Sequence, residues 1–190
     1  MQNIAKARKE LVNLKHKNKF EKMIEAAAII TEIMEQEKLK PIIVGGLSVE
    51  IYTLQEYTTQ DIDFVLSGSE KADKILLDLG FEKEGRYWVH PDIGLAIEIP
   101  DRTLAGDYNK VTVFPIGQRK VYVIGIEDII LDRLRAAVHW KSGVDREWGY
   151  RLLYTYFEKI DLDYLYNHTE TLTEKTELQI WIKKVQNEKE

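Results

Sequence analysis

Residues 44–66 read "VGGLSVEIYTLQEYTTQDIDFVL", an apolar run that ends in Gly45-Gly46 and, fifteen residues after the second glycine, a run that contains Asp61 and Asp63. One carboxylate in a strand is explained by solvent, whereas two on the same side of it ask for a partner. Strand residues alternate faces, so Asp61 and Asp63 point one way while Ile62 and Phe64 point toward a core. Their Cα atoms are expected roughly 6.6 Å apart, from a rise of about 3.3 Å per residue. With oxygens about 5 Å apart and an effective dielectric near 20, the two charges repel by roughly 3 kcal/mol. Exposure, a raised pKa or a bound divalent cation would each relieve this. Upstream, a strand running into two glycines and then a helix lets backbone amides approach an anion, with Ser48 in the first turn. A tight strand–helix turn that needs positive φ explains the same glycines without a ligand.

Working outward, "KPIIVGG" reads as a short buried strand, "LSVEIYTLQEY" as a short helix and "TTQDIDFVLSG" as a second strand. "SEKADKILLDLGF" is a helix with Ser67 or Ser69 as its N-cap and Gly80 as its stop. "RYWVHPDIGLAIEIP" forms a hairpin turning at Pro91-Asp92, and "KVTVFPIGQRKVYVIG" adds one or two strands. In "LAIEIP", Leu95, Ile97 and Ile99 share a face and leave Glu98 on the other. If this strand neighbours "DIDFV", Glu98 becomes a third carboxylate beside the pair.

From Ile4 to Gln36 the pattern is continuously helical, and from Ile126 helical periodicity returns, with breaks at Ser142-Gly143 and Asn167-His168. The expected architecture is α+β: a small mixed sheet flanked by helices. It divides into an N-terminal helix (1–40), an α/β core (41–125) and a C-terminal helical lobe (126–190), folding as one cooperative unit.

The bulk numbers agree. A chain of 190 residues with 44% hydrophobic and 31% charged side chains buries a real core. No apolar run is long enough for a transmembrane helix, and the first twenty residues lack a signal peptide's apolar stretch, so a cytoplasmic address is the expectation. The absence of cysteine excludes disulfides and thiolate metal sites. A net charge of −5 argues against a nucleic-acid platform over the whole surface. Residues 1–22 nonetheless carry seven Lys/Arg against two Glu. That run reads as a solvated helix face or as a patch for a phosphate backbone. The four histidines have no ligand spacing between them, which argues against zinc, and the "YRLLYTYF" aromatics read as packing.

The segment "IIVGGLSVEIYTLQEYTTQDIDFVL" resembles the signature of the DNA polymerase beta-like nucleotidyltransferase superfamily: apolar strand, Gly-Gly, short helix, then D-x-D. "LAIEIP" is similar to its third-carboxylate strand, and "IEDIILDRLRAAVHWKSGVDREWGYRLL" resembles the downstream helices of its minimal bacterial branch, which includes abortive-infection-type toxins. The resemblance spans roughly residues 41–155. It implies that Gly45, Gly46 and Ser48 bind nucleotide phosphates and that Asp61, Asp63 and Glu98 hold two Mg²⁺ ions. It further implies transfer of a nucleoside monophosphate from an NTP to a hydroxyl of RNA, protein or a small molecule. Another reading is an inactive nucleotide-binding or interaction module, such as one half of a toxin–antitoxin pair.

Two positions depart from that branch. Arg133 stands where a lysine is usual, and Val144-Asp145 where Arg-Asp is usual. The swap at Arg133 keeps charge but presents a planar fork. Arg133 has only Ile129, Ile130, Ala136 and Ala137 at helical spacing, so it either snorkels or reaches into a site, while Arg135 is expected to pair with Asp132. Asp145 either caps its helix or orients Arg133. Both are candidates for nucleotide binding. Lys141 reads as a plain exposed lysine.

Overall fold

A computed structural model describes residues 2–189 of the chain. Two helices lead in, α1 (Gln2–Asn13) and α2 (Lys19–Gln36). The sequence pattern predicts one helix here, but the chain breaks between them. Asn18 takes an extended conformation and its side chain accepts the Glu21 amide at 2.9 Å, a sound N-cap. An unbroken helix of that length would extend about 50 Å and carry its first turns off the core. Folding back buries Ala7 and Leu11 instead.

The core follows as β1 (Ile42–Val44), α3 (Gly45–Tyr52), β2 (Asp61–Val65), α4 (Ser69–Leu79), β3 (Glu82–Glu84), β4 (Tyr87–His90), β5 (Leu95–Asp101), β6 (Thr112–Ile116) and β7 (Arg119–Val123). The expected hairpin at Pro91-Asp92 is present, and "KVTVFPIGQRKVYVIG" supplies two strands that pair antiparallel across Gly117. The N-cap of α4 is Gly68, not Ser67 or Ser69, and the helix stops at Gly80 as expected. Strand β3 was not anticipated: "EKE" is exposed throughout and has no alternation to betray a sheet edge.

Seven strands form one mixed sheet in the order β3-β4-β5-β2-β1-β7-β6. Strand β2 lies antiparallel to β1 and parallel to β5, and β1 lies parallel to β7. This order puts β2 and β5 side by side, the condition on which Glu98 depends. Ile62 and Phe64 are fully buried, with α2 packed over them and α1 and α4 beside it in the same layer. The carboxylates of β2 therefore face the other way.

Across that face lie α5 (Ile126–His139), α6 (Gly143–Tyr156), α7 (Leu162–Asn167) and α8 (Leu172–Lys189). The break at Ser142-Gly143 and the end of α7 at Asn167 match the sequence pattern. The break after Tyr156 was missed, though its signal is present: Asp161 caps α7 by accepting the Tyr164 amide at 2.9 Å. Tyr52 and Tyr156 join this lobe to the core. Tyr156 donates to the Tyr52 carbonyl at 2.8 Å, and Tyr52 donates to the Ile124 carbonyl at 2.7 Å. Among the described residues no helix is long and apolar enough to cross a membrane.

Candidate active site

The glycine pair is explained by what lies beside it. Gly45 has φ +58°, and a Cβ there would come within 2.2 Å of Asp63 Oδ2. A Cβ on Gly46 would come within 2.4 Å of Thr59 Oγ1. Two glycines are thus what permits strand β1 to turn into α3 directly against the D-x-D strand. The Gly46 backbone amide favours the ionised form of the Asp63 carboxylate, against the effect of burial. Ser48 is fully buried and donates to the Gly45 carbonyl at 2.7 Å, so its hydroxyl proton holds the turn in shape.

Sheet register assembles the carboxylates. Asp63 sits opposite Val44 on one side and Glu98 on the other, and Asp61 sits opposite Ala96. Asp61, Asp63 and Glu98 are half-buried, and each offers an oxygen within 4.8 Å of the others'. Among the described residues no other trio of His, Asp or Glu gathers this way. Burial pushes the Asp63 carboxyl up to about 6, and the neighbouring charges of Asp61 and Glu98 push in the same direction. Three hard oxygen donors gathered in this way form a set that could coordinate a metal ion of the Mg²⁺ or Ca²⁺ kind. Thr59 donates to Asp61 at 3.3 Å. The Arg86 guanidinium lies 3.4 Å from Glu98 and also donates to the Tyr87 hydroxyl. Nothing in the sequence singled out Arg86; only the pairing of β4 with β5, Tyr87 opposite Glu98, brings it here.

Helices α5 and α6 close the other side. Arg133 is mostly buried and does have a carboxylate in its own helix: Asp132 accepts from it at 2.8 Å and 3.1 Å. Adjacent helix residues do not normally face each other, which is why sequence spacing overlooked this pair. Arg133 also donates to Asp145 at 2.6 Å. Burial disfavours its charge, but Asp132 and Asp145 outweigh this and raise its pKa. The N-cap of α6 is Ser142, which accepts the Asp145 amide at 3.2 Å, leaving the Asp145 side chain for Arg133. Arg135 does not pair with Asp132. It reaches the His168 carbonyl at 3.0 Å and Glu170 at 3.1 Å.

Between the sheet and these helices runs a cleft of about 340 Å³, lined among others by Gly45, Asp63, Leu104, Arg133, Trp140 and Asp145. A larger hollow of about 470 Å³ lies under α1, where Arg119 is held by Glu10 and Glu32, both at 2.6 Å, and it contains neither the glycine turn nor the three gathered carboxylates. The basic run of residues 1–22 belongs to that opposite face. Lys17 is paired with Glu25, and Lys22 donates to the Ile93 carbonyl.

No sequence profile of a known protein family matches the chain, and no curated protein matches it. Solved structures do. An antigenic nucleotidyltransferase-like protein from Paracoccidioides brasiliensis superposes with a TM-score of 0.60 at 15% identity, over 86% of this chain and 87% of its own. The structure of ANT(2")-Ia in complex with adenylyl-2"-tobramycin superposes with a TM-score of 0.50 at 16% identity, over 85% of this chain and 95% of its own. At such identities the likeness speaks for architecture, and the architecture is a nucleotidyltransferase-like core: a mixed sheet flanked by helices.

Proposed function

We propose that the protein is a Mg²⁺-dependent nucleotidyltransferase that moves a nucleoside monophosphate from an NTP to a hydroxyl acceptor. The observation that carries this reading is the convergence of Asp61, Asp63 and Glu98 within 4.8 Å at a double-glycine turn. Asp61 and Asp63 would hold two Mg²⁺ ions between them, and Glu98 would hold the one on the acceptor side. Bound there, the metal supplies charge neutralisation for the triphosphate and a more acidic acceptor hydroxyl.

The chain's own groups do the rest. Gly45 and Gly46 bring backbone against the phosphates, Ser48 fixes that backbone, and Arg133, oriented by Asp145, offers a cation from the opposite wall. The acceptor oxygen attacks the α-phosphorus, the bond to the β-phosphate breaks, and pyrophosphate leaves with the electron pair. Glu98 would take the acceptor's proton.

Adenylyl-2"-tobramycin is the molecule bound in one structure of similar fold. For this chain the acceptor classes are RNA, a protein or a small molecule. Placement among abortive-infection-type toxins, with an antitoxin partner, is supported by the sequence resemblance of residues 126–153 to that branch. Incubation with each α-labelled NTP, Mg²⁺ and total cellular RNA, protein or small molecules tests the reading. Label is expected to move to one pool, and Asp61→Asn or Asp63→Asn is expected to abolish this while the variant stays folded. Equal labelling by the wild type and both variants would overturn it.

A further inference from the structure

Trp140 is out of place for a packing residue. It ends α5, yet it is 80% exposed, while Trp88 and Trp181 are 3% exposed. Leaving so much apolar surface in water forgoes the gain that burial would bring. Its surroundings are not random surface. Trp140 lines the cleft that also contains Gly45, Asp63 and Arg133, and Pro100, Leu104, Ile129 and Ala136 give the same cleft an apolar lining. A single groove therefore offers charged groups and close backbone together with an aromatic and aliphatic lining. The next residue, Lys141, has φ +54°, a conformation that glycine commonly supplies after a helix end and that a side chain makes costly. Helix α5 thus ends in a strained turn that presents an unburied indole to the groove.

Resting on the nucleotide reading above, we propose that the Trp140 indole is the platform on which the base of the nucleoside triphosphate stacks. The mixed lining of the groove suits such a ligand, with its phosphates at the glycine turn and Arg133 and its flat ring system at Trp140. Stacking recognises the π-face that every base has, so this platform contributes affinity rather than strict base choice.

Isothermal titration with each of the four NTPs and with inorganic tripolyphosphate, all in Mg²⁺, separates the two ends of the ligand. Trp140→Ala is expected to weaken the NTP that binds the wild type by on the order of tenfold and to leave tripolyphosphate unchanged. Trp140→Phe is expected to restore most of the affinity. In the wild type the same NTP should quench tryptophan emission, and Trp140→Phe should remove that signal. Equal loss of NTP and tripolyphosphate in Trp140→Ala, or no loss of either, overturns the platform. If the wild type binds tripolyphosphate as tightly as every NTP, the platform fails while the phosphate end stands. Binding of neither ligand removes the nucleotide reading and the platform together.

Discussion

At the scale of single residues, the site is a problem of charge and space around Asp63. Its raised pKa means that the native chain holds more protons than the unfolded chain between about 3.8 and about 6. Stability from this group therefore falls as pH rises through that window. The full shift corresponds to about 3 kcal/mol, and solvent screening of a half-exposed carboxylate trims it. His90 slopes the other way. It is buried against Phe81 with neither ring nitrogen hydrogen-bonded, and burial lowers its pKa, so its contribution is lost as pH falls below about 6.5. Comparing wild type with Asp63→Asn cancels the His90 effect. In urea unfolding, the variant is expected to gain on the wild type by one to a few kcal/mol at pH 7 and to lose most of that advantage at pH 4. An advantage independent of pH would mean that Asp63 is not strained by its neighbours. Space is tested separately. Gly45→Ala must place a Cβ 2.2 Å from Asp63 Oδ2 at φ +58°, whereas Gly85→Ala meets open space at φ +62°. The second change should cost about 1–2 kcal/mol for backbone conformation alone. The first should cost distinctly more and abolish transfer. Equal losses in thermal unfolding would show that close approach to Asp63 is not what requires Gly45.

At the scale of elements, the legible parts were those with strong periodicity or a signature residue. The D-x-D strand, the glycine turn, the Pro91-Asp92 hairpin and the break at Ser142-Gly143 could all be read from local pattern. What local pattern could not supply was adjacency. Glu98 required β5 to lie beside β2, and Arg86 required β4 to lie beside β5. The fold-back between α1 and α2 and the edge strand β3 were lost because burial elsewhere outvoted local propensity. Arg133 was singled out for having no partner at helical spacing, and Asp132 then reached it from the adjacent position. The turn between α5 and α6 shows a different limit, since nothing in "HWKSG" announces that Lys141 takes a left-handed conformation. Lys141→Gly is expected to raise stability by about 1 kcal/mol, measured by chemical denaturation, because glycine occupies that region without the Cβ penalty. A loss instead would mean that the Lys141 side chain contributes contacts worth more than its strain.

At the scale of the whole molecule, the question is whether the helical lobe is a separate unit or part of the core. The contacts across the boundary are specific. Tyr156 in α6 donates to the Tyr52 carbonyl, its ring meets Tyr52 edge-on at 5.7 Å, and Tyr57 meets Trp148 at 5.2 Å. Arg133 faces a cleft whose floor belongs to the sheet. Such coupling predicts one unfolding transition, with tryptophan emission and far-UV circular dichroism coinciding. The tryptophans report on both parts, since Trp88 lies in β4 and Trp148 and Trp181 lie in α6 and α8. Tyr156→Phe should lower stability by about 1 kcal/mol, the net worth of one intramolecular hydrogen bond, without splitting the transition. Nucleotide sharpens the test. A ligand held by Gly45 from the core and Arg133 from the lobe stabilises only the assembled form, by about 2.7 kcal/mol at a hundredfold excess over Kd. In one cooperative unit that gain moves the whole transition upward, and both probes move with it. In two units the ligand would be expected to merge transitions that were separate in its absence. Two transitions that stay apart with Mg²⁺ and NTP present would mean that the lobe does not share the ligand, and Arg133 and Trp140 would then leave the site together.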